Sequence, residues 1–183
     1  MIVPEVRTVI ERAAAAREQL AGLLAVLPAG YWGRAAPGDA WRVHDHAAHV
    51  AAADEIVAEL LRDADRGQSV WLGGTDDPAA LATLRERRMA SFANGSAEAV
   101  LASMSRARAA VVDALTVLDP AVLDVPLYAA GVANAWGQPV RFTVRTYLAQ
   151  WATHDLVHAA CIREAIRQPL TPGDIAAGAR LRR

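Results

Sequence analysis

Residues 143–167 read TVRTYLAQWATHDLVHAACIREAIR, and their spacing decides the fold class. At about 100° per residue, Val144, Leu148, Trp151, His154, Val157, His158, Cys161 and Ile162 fall on or near one stripe, which predicts a helix from Thr143 to Arg167 that ends before Pro169. On it His158 lies about 40° round from His154, and Cys161 about 20° to the other side. Two neutral imidazoles one turn apart on one face can supply two ligands to a transition metal, although the spacing alone is a weak signal. A third imidazole from another helix would complete a site.

The remaining three of the five histidines, His44, His46 and His49, open a second long helical stretch, Val43 to Arg66, closed by Gly67. Measured from His49, Asp45 is displaced by about 40° and His46 by about 60°, whereas His44 and Asp54 point well away. Asp45 and His46 are therefore neighbours of any site that His49 joins. A single histidine on an alanine-rich helix is ordinarily a surface residue or a hydrogen-bonded core residue. Two windows on two long helices change that reading, because bundles build metal sites from facing side chains.

Three more helices are legible around these two. Pro4 to Leu27 carries apolar residues at three- and four-residue steps and stops at Pro28-Ala-Gly30. The segment YWGRAAPGDAW is rich in turn formers, and Gly67 to Pro78 is a loop. Ala79 to Phe92 is a shorter, arginine-rich helix ended by Asn94-Gly95, and Ser96 caps a third long helix with Val100, Leu101, Met104, Val111, Leu115 and Leu118 at helical spacing. Pro120 to Val140 is an irregular crossover with room for a small hairpin, and the terminal Arg180-Leu-Arg-Arg is expected to fray. The chain is read as one all-α domain over residues 1–183.

Composition removes several function classes. The hydrophobic share of 54% excludes a disordered chain, and with only 5% aromatics it suits a helical bundle. Net charge is −1 and the basic residues, all arginine, are interleaved with acids, which argues against nucleic-acid binding. The lone Cys161 rules out an internal disulfide and points to a reducing compartment, the cytoplasm. Charged residues within the first seven positions interrupt any signal-type apolar segment, and no apolar run reaches the roughly 18 residues of a membrane span. Without a signal peptide, the Asn94-Gly-Ser96 glycosylation match is discounted. Smooth alanine-rich helices favour a symmetric homodimer.

Two stretches carry a family resemblance. Trp41-x7-His49, inside AWRVHDHAAHVAAAD, resembles the W-S-x-x-E-x-L-x-H-L signature of the DinB-like family of four-helix metalloproteins. The later WATHDLVHAACIREAI resembles that family's H-E-x-x-H-x-x-Q-I helix, and the resemblance covers nearly the whole chain, DDPAALATLRERR included. It implies a DinB-like four-helix bundle with a long irregular crossover before the last core helix, and a metal triad of His49, His154 and His158. The departures are Arg42 where the family has Ser or Thr, Asp45 for Glu, Ala47 for Leu, Asp155 for Glu and Cys161 for Gln. None touches the three ligands. Cys161 is read as a packed thiol before a fourth ligand, and Trp41 and Trp151 as bundle-end packing before substrate walls.

Three imidazoles leave coordination positions open, the arrangement of a catalytic metal rather than a closed structural one. The resemblance implies relatives that use low-molecular-weight thiols, such as mycothiol-dependent maleylpyruvate isomerase and bacillithiol transferases. The expected function is a metal-dependent thiol S-transferase or isomerase acting on a small electrophile, using Zn, Ni, Fe, Co or Mn with mycothiol or bacillithiol. Asp45, His46 and Asp155 are the candidate residues for orienting imidazoles or moving protons. Metal-dependent hydrolysis and a non-catalytic, metal-binding stress-response role are the alternatives.

Overall fold

α1 (Pro4–Ala25) starts where Pro4 pre-sets the first helical φ, and it buries Val6, Ala13, Ala16, Leu20 and Leu24 along one stripe. A computed structural model describes residues 2–66, 70–92, 95–133, 137 and 139–180. After the single turn α2 (Ala29–Trp32) comes α3 (Val43–Asp65), which is buried on most sides. Its Ala47, Ala48, Ala51, Ala52 and Ala58 present almost no bulk, so neighbouring helices approach closely. α4 (Pro78–Phe92) lies outside, with Leu81 its buried anchor. α5 (Ala97–Thr116) begins at Ser96, whose Oγ accepts the Ala99 N–H at 3.2 Å, as its sequence predicts.

The crossover holds structure that an all-α reading omits. β1 (Val70–Trp71) pairs parallel with β2 (Pro126–Ala133), and β2 pairs antiparallel with β3 (Pro139–Thr143), giving a three-stranded sheet in the order β1-β2-β3. The fold is therefore mostly helical with a small sheet. The hairpin fits the expected crossover, while β1 arises from the segment read as loop. Short strands of this kind depend on a partner far away in sequence, so no local pattern announces them.

The helix expected over Thr143–Arg167 is two. α6 (Val144–Trp151) and α7 (His154–Ala165) are separated at Ala152 and Thr153. Thr153 Oγ1 donates back to the Gln150 carbonyl at 3.1 Å, and the Thr153 and Leu156 N–H groups bond three residues back instead of four. This hydroxyl back-bonding and tightened turn break the helix at the site's edge. His154 thus begins a helix, and Val157, expected near the buried stripe, is exposed. α8 (Pro172–Arg180) is a further helix that sequence spacing did not show. Of the terminal Arg180–Arg183 expected to fray, Arg180 ends α8, and the rest, together with Gly67 and Asn94 as helix-ending residues, falls outside the described residues.

α3 packs against α5 and α7, and α1 against α7 and α5. Two apolar clusters fill the interior. One holds Ala13, Ile56, Val57, Val111, Leu115, Leu148 and Trp151 and lies under the sheet; the other holds Leu20, Leu24, Val50, Ala51, Met104, Ala159 and Ile162. A charged residue stands between the two clusters on each of four helices: Arg17 between Ala13 and Leu20 on α1, Asp54 between Ala51 and Ile56 on α3, Arg108 between Met104 and Val111 on α5, and Asp155 between Ala152, just before α7, and Ala159 on it. No helix among the described residues is long and apolar enough to cross a membrane.

Candidate metal centre

The turn before α3 is built by its own sequence. The Asp39 N–H donates to the Ala36 carbonyl at 3.0 Å, closing a turn over Pro37 and over Gly38 at φ +81°, a conformation open to glycine. Asp39 Oδ1 then accepts the Trp41 N–H at 2.9 Å, which leaves Oδ2 free to face α3. At the start of α3, Asp45 accepts the Arg42 backbone N–H at 3.0 Å and both arms of its guanidinium at 2.8 Å. Arg42 cannot cap with an acceptor of its own, so the helix is capped from the third position instead. Against its burial, the Arg42 bonds hold the Asp45 carboxyl below its ordinary range. Asp45, a candidate proton carrier from spacing, is thereby committed to the helix end and bonds none of the site's imidazoles.

The three imidazoles of His49, His154 and His158 converge. One ring nitrogen from each lies within 4.8 Å of the others, and His158 Nε2 stands 3.1 Å from His154 Nε2. Behind them runs a chain of bonds: Asp39 Oδ2 is 3.0 Å from His46 Nε2, and His46 Nδ1 is 3.0 Å from His158 Nδ1. The tautomers that suit this chain follow from donor and acceptor chemistry when each ring carries one proton. A carboxylate only accepts, so His46 Nε2–H donates to Asp39; His46 Nδ1 then accepts from His158 Nδ1–H. His158 Nε2 is left with a bare lone pair aimed at His154.

Burial disfavours the charged form of His49, His154 and His158. It pushes the His158 imidazole down to about 2, helped by the nearby His154, His49 and His46, and pushes His49 down to about 4, helped by His154, Arg85 and His46. His154 is lowered by the same cause. Trp41 covers the group, its ring centroid 4.7 Å from His49, 5.4 Å from His46 and 6.1 Å from His158, in the last case nearly parallel. The tryptophan is a lid on the imidazoles as well as packing.

Other residues singled out from sequence go elsewhere. Asp155, next to His154 in the chain, turns into the core, where it accepts from Arg17 at 2.6 Å and Arg108 at 3.0 Å. Asp54 accepts from the same two arginines, at 2.8 and 3.0 Å, and from Trp151 Nε1 at 2.8 Å. Burial works against the Arg17 cation, but Asp155 and Asp54 hold it above its ordinary value. Cys161 groups with Asp39 and His46 rather than with the three converging imidazoles, and both His46 nitrogens are already engaged. His44 is buried beside Trp32 and bonds the Gly95 carbonyl at 3.2 Å, away from the site as its helical angle predicts.

A cavity of about 180 Å³ opens on His49 and His154. Its polar lining comes from those two rings with Arg85 of α4 and Tyr147 and Gln150 of α6, and Trp151 forms part of its wall. Sequence reasoning missed Asp39, Arg85, Tyr147 and Gln150. The APGDAW turn held a signal for Asp39; nothing local marks the other three.

Residues 12–162 match the DinB superfamily. The chain belongs to that superfamily. Two solved structures resemble this DinB-superfamily chain, mycothiol-dependent maleylpyruvate isomerase and a histidine-to-alanine mutant of it, each with a TM-score of 0.68. Identity is 16% and 15%, with 96% of this chain and 68% of theirs covered. At that identity the likeness is one of fold. No curated protein sequence matches the chain.

The donor set fits a resident transition metal. Two nitrogens each about 2.0–2.1 Å from a shared ion stand about 3.1–3.4 Å apart at bond angles near 100–110°, and the His158–His154 pair already meets that spacing. The group is neutral at pH 7, so no proton has to leave before a cation enters.

Proposed function

We propose that this DinB-superfamily protein is a metal-dependent transferase or isomerase that joins a low-molecular-weight thiol, of the mycothiol or bacillithiol kind, to a small electrophile. The observation that carries the reading is the convergence of His49, His154 and His158 beside an open cavity, with His158 Nδ1 tied back through His46 to Asp39 so that its Nε2 faces His154. His49, His154 and His158 would hold the metal. A bound divalent ion lowers the pKa of a thiol, making it a thiolate at neutral pH.

The protein's own groups then bind and orient. His46 acts through His158, setting its ring and its tautomer, and Trp41 keeps water from one side of the imidazoles. Asp45 and Asp155, bound to Arg42 and to the two core arginines, serve the scaffold instead of the reaction. The cavity lining includes no carboxylate to act as a base, which favours thiol transfer over hydrolysis. The likeness in fold to mycothiol-dependent maleylpyruvate isomerase agrees with a thiol partner. The long helices acting as one bundle domain over the whole chain, a homodimer and a cytoplasmic setting complete the proposal.

Elemental analysis of untagged protein, run together with a screen of mycothiol, bacillithiol and glutathione against electrophiles, tests it. A stoichiometric transition metal and metal-dependent thiol adducts are expected. Metal without thiol turnover but with ester or amide cleavage that follows occupancy would overturn the transfer reading, and absence of metal would overturn the whole.

A further inference from the structure

Among the described residues, Arg85 is a cation without a counter-ion beside the site. α4 presents two arginines toward α3 one turn apart, and their circumstances differ. Arg88 is paired with both Glu55 and Glu59 of α3. Arg85, three residues earlier, has no carboxylate within 4.0 Å among the described residues, and the stretches outside them contain no Asp or Glu side chain. It lines the cavity over His49 and His154, where no lining residue is an acid. Its charge is felt by both His49 and Tyr147.

The rest of the lining is suited to an anion. The Tyr147 hydroxyl is held protonated, its pKa pushed up to about 12 by burial, so it donates, and the Gln150 amide supplies a second neutral donor. Ile56 and Leu72 add apolar lining for a carbon skeleton. A planar guanidinium with a phenol and an amide around a partly apolar pocket is matched in shape and charge to a carboxylate.

We propose that the substrate carries a carboxylate, gripped by Arg85 with Tyr147 and Gln150, which holds the carbon skeleton of a small organic acid over His49 and His154. This rests on the reading that the same cavity is the working site, but it makes a claim that survives without the thiol. Arg85 is a binding and specificity residue here. It selects acids over their neutral analogues.

The test is isothermal titration of benzoate and propionate, each against its primary amide, into metal-loaded and chelator-stripped protein at pH 7.5. Both acids are expected to bind wild type at least about 10-fold more tightly than their amides, the difference that about 1.4 kcal/mol represents. Arg85→Gln should abolish that preference in both metal states without changing amide affinity, and Arg85→Lys should restore part of it. Arg85 is exposed on α4, so neither variant threatens folding. No saturable acid binding to wild type, or acid binding indifferent to Arg85→Gln, overturns the proposal. Acid binding that disappears on metal removal yet ignores Arg85→Gln would also overturn it, placing the carboxylate on the metal and leaving the metal reading intact. Arg85-dependent binding in a protein that takes up no metal would instead sink the metal reading and uphold the anion site.

Discussion

Two polar clusters sit side by side among the same helices, and they have been finished in opposite ways. Around Asp54 and Asp155, two cations and two anions from four helices satisfy one another: each arginine bonds both aspartates, and Asp54 also takes the Trp151 indole. Around His158 the donors point one way, His158 Nδ1 to His46 and His46 Nε2 to Asp39, which leaves His158 Nε2 as an acceptor facing His154. The first cluster is closed and neutral, so it holds the scaffold. The second is incomplete, and its incompleteness is aimed at one point. What distinguishes a structural polar core from a functional one here is whether the network closes, since both are buried and rich in titratable groups.

Breaking the closed cluster gives the largest expected effect. Asp54→Ala strands Arg17 and Arg108 and removes the Trp151 acceptor, and should lower the unfolding free energy by about 3–5 kcal/mol in urea titrations. Arg108→Met combined with Asp155→Leu removes one cation and one anion together, and should be less destabilising than either single change. If the double variant costs the sum of the two, the charges are not coupled and the ring is not one unit.

The opposite pattern is expected from His154→Ala. It should weaken metal affinity by more than the roughly 10–100-fold typical of outer partners, while metal-free stability shifts by about 1 kcal/mol or less. A loss of stability as great as that of Asp54→Ala would erase the contrast between the two clusters.

A finer probe is Asp39→Asn, which preserves size and the oxygen that accepts from Trp41. With an amide NH2 facing His46 Nε2, the proton chain reverses, and His158 Nε2 acquires the proton where a ligand needs a lone pair. Metal affinity should fall by about 10–100-fold with unfolding unaltered, and nitrogen chemical shifts of His158 should report the other tautomer. Unchanged affinity would mean the chain does not set the ligand.

Acid separates the clusters as well. His49 has its pKa lowered from an ordinary 6.5 to about 4, so between those values the unfolded chain takes up a proton that the folded chain refuses. Its contribution to stability is present above pH 6.5 and is lost as pH falls toward 4, and the depressed His158 acts with the same sign. Chelator-stripped protein should therefore unfold progressively more easily across that window, and His49→Gln should flatten the slope. The smallest effect belongs to Cys161→Ser, which lies beside Asp39 and His46 and should leave metal content and thiol transfer close to wild type. Loss of transfer with metal retained would put the protein's own sulfur in the reaction.

Much of this was present in local pattern. The stripe of α1, the Ser96 cap, the turn before α3 and the His154–His158 spacing are all set by residues within a few positions of one another, and the structure keeps them. The break at Thr153 was not legible, since a hydroxyl that bonds back to its own helix leaves the apolar period undisturbed. Nor was the role of Asp155, which helical angle places beside His154 but which the arginines of α1 and α5 draw inward.

By itself, then, the sequence determined the helices, the family likeness and which histidines share a face, because those depend on periods of three and four residues and on side-chain chemistry. Only the tertiary structure decided that one charge from each of four helices would meet in a closed ring, that Asp39 would reach His46, and that Arg85 would stand at the cavity with no carboxylate partner among the described residues. Each of those facts joins residues from separate elements, and whether a buried polar group is satisfied or left aimed at a site depends on its neighbours in space, which no local period records.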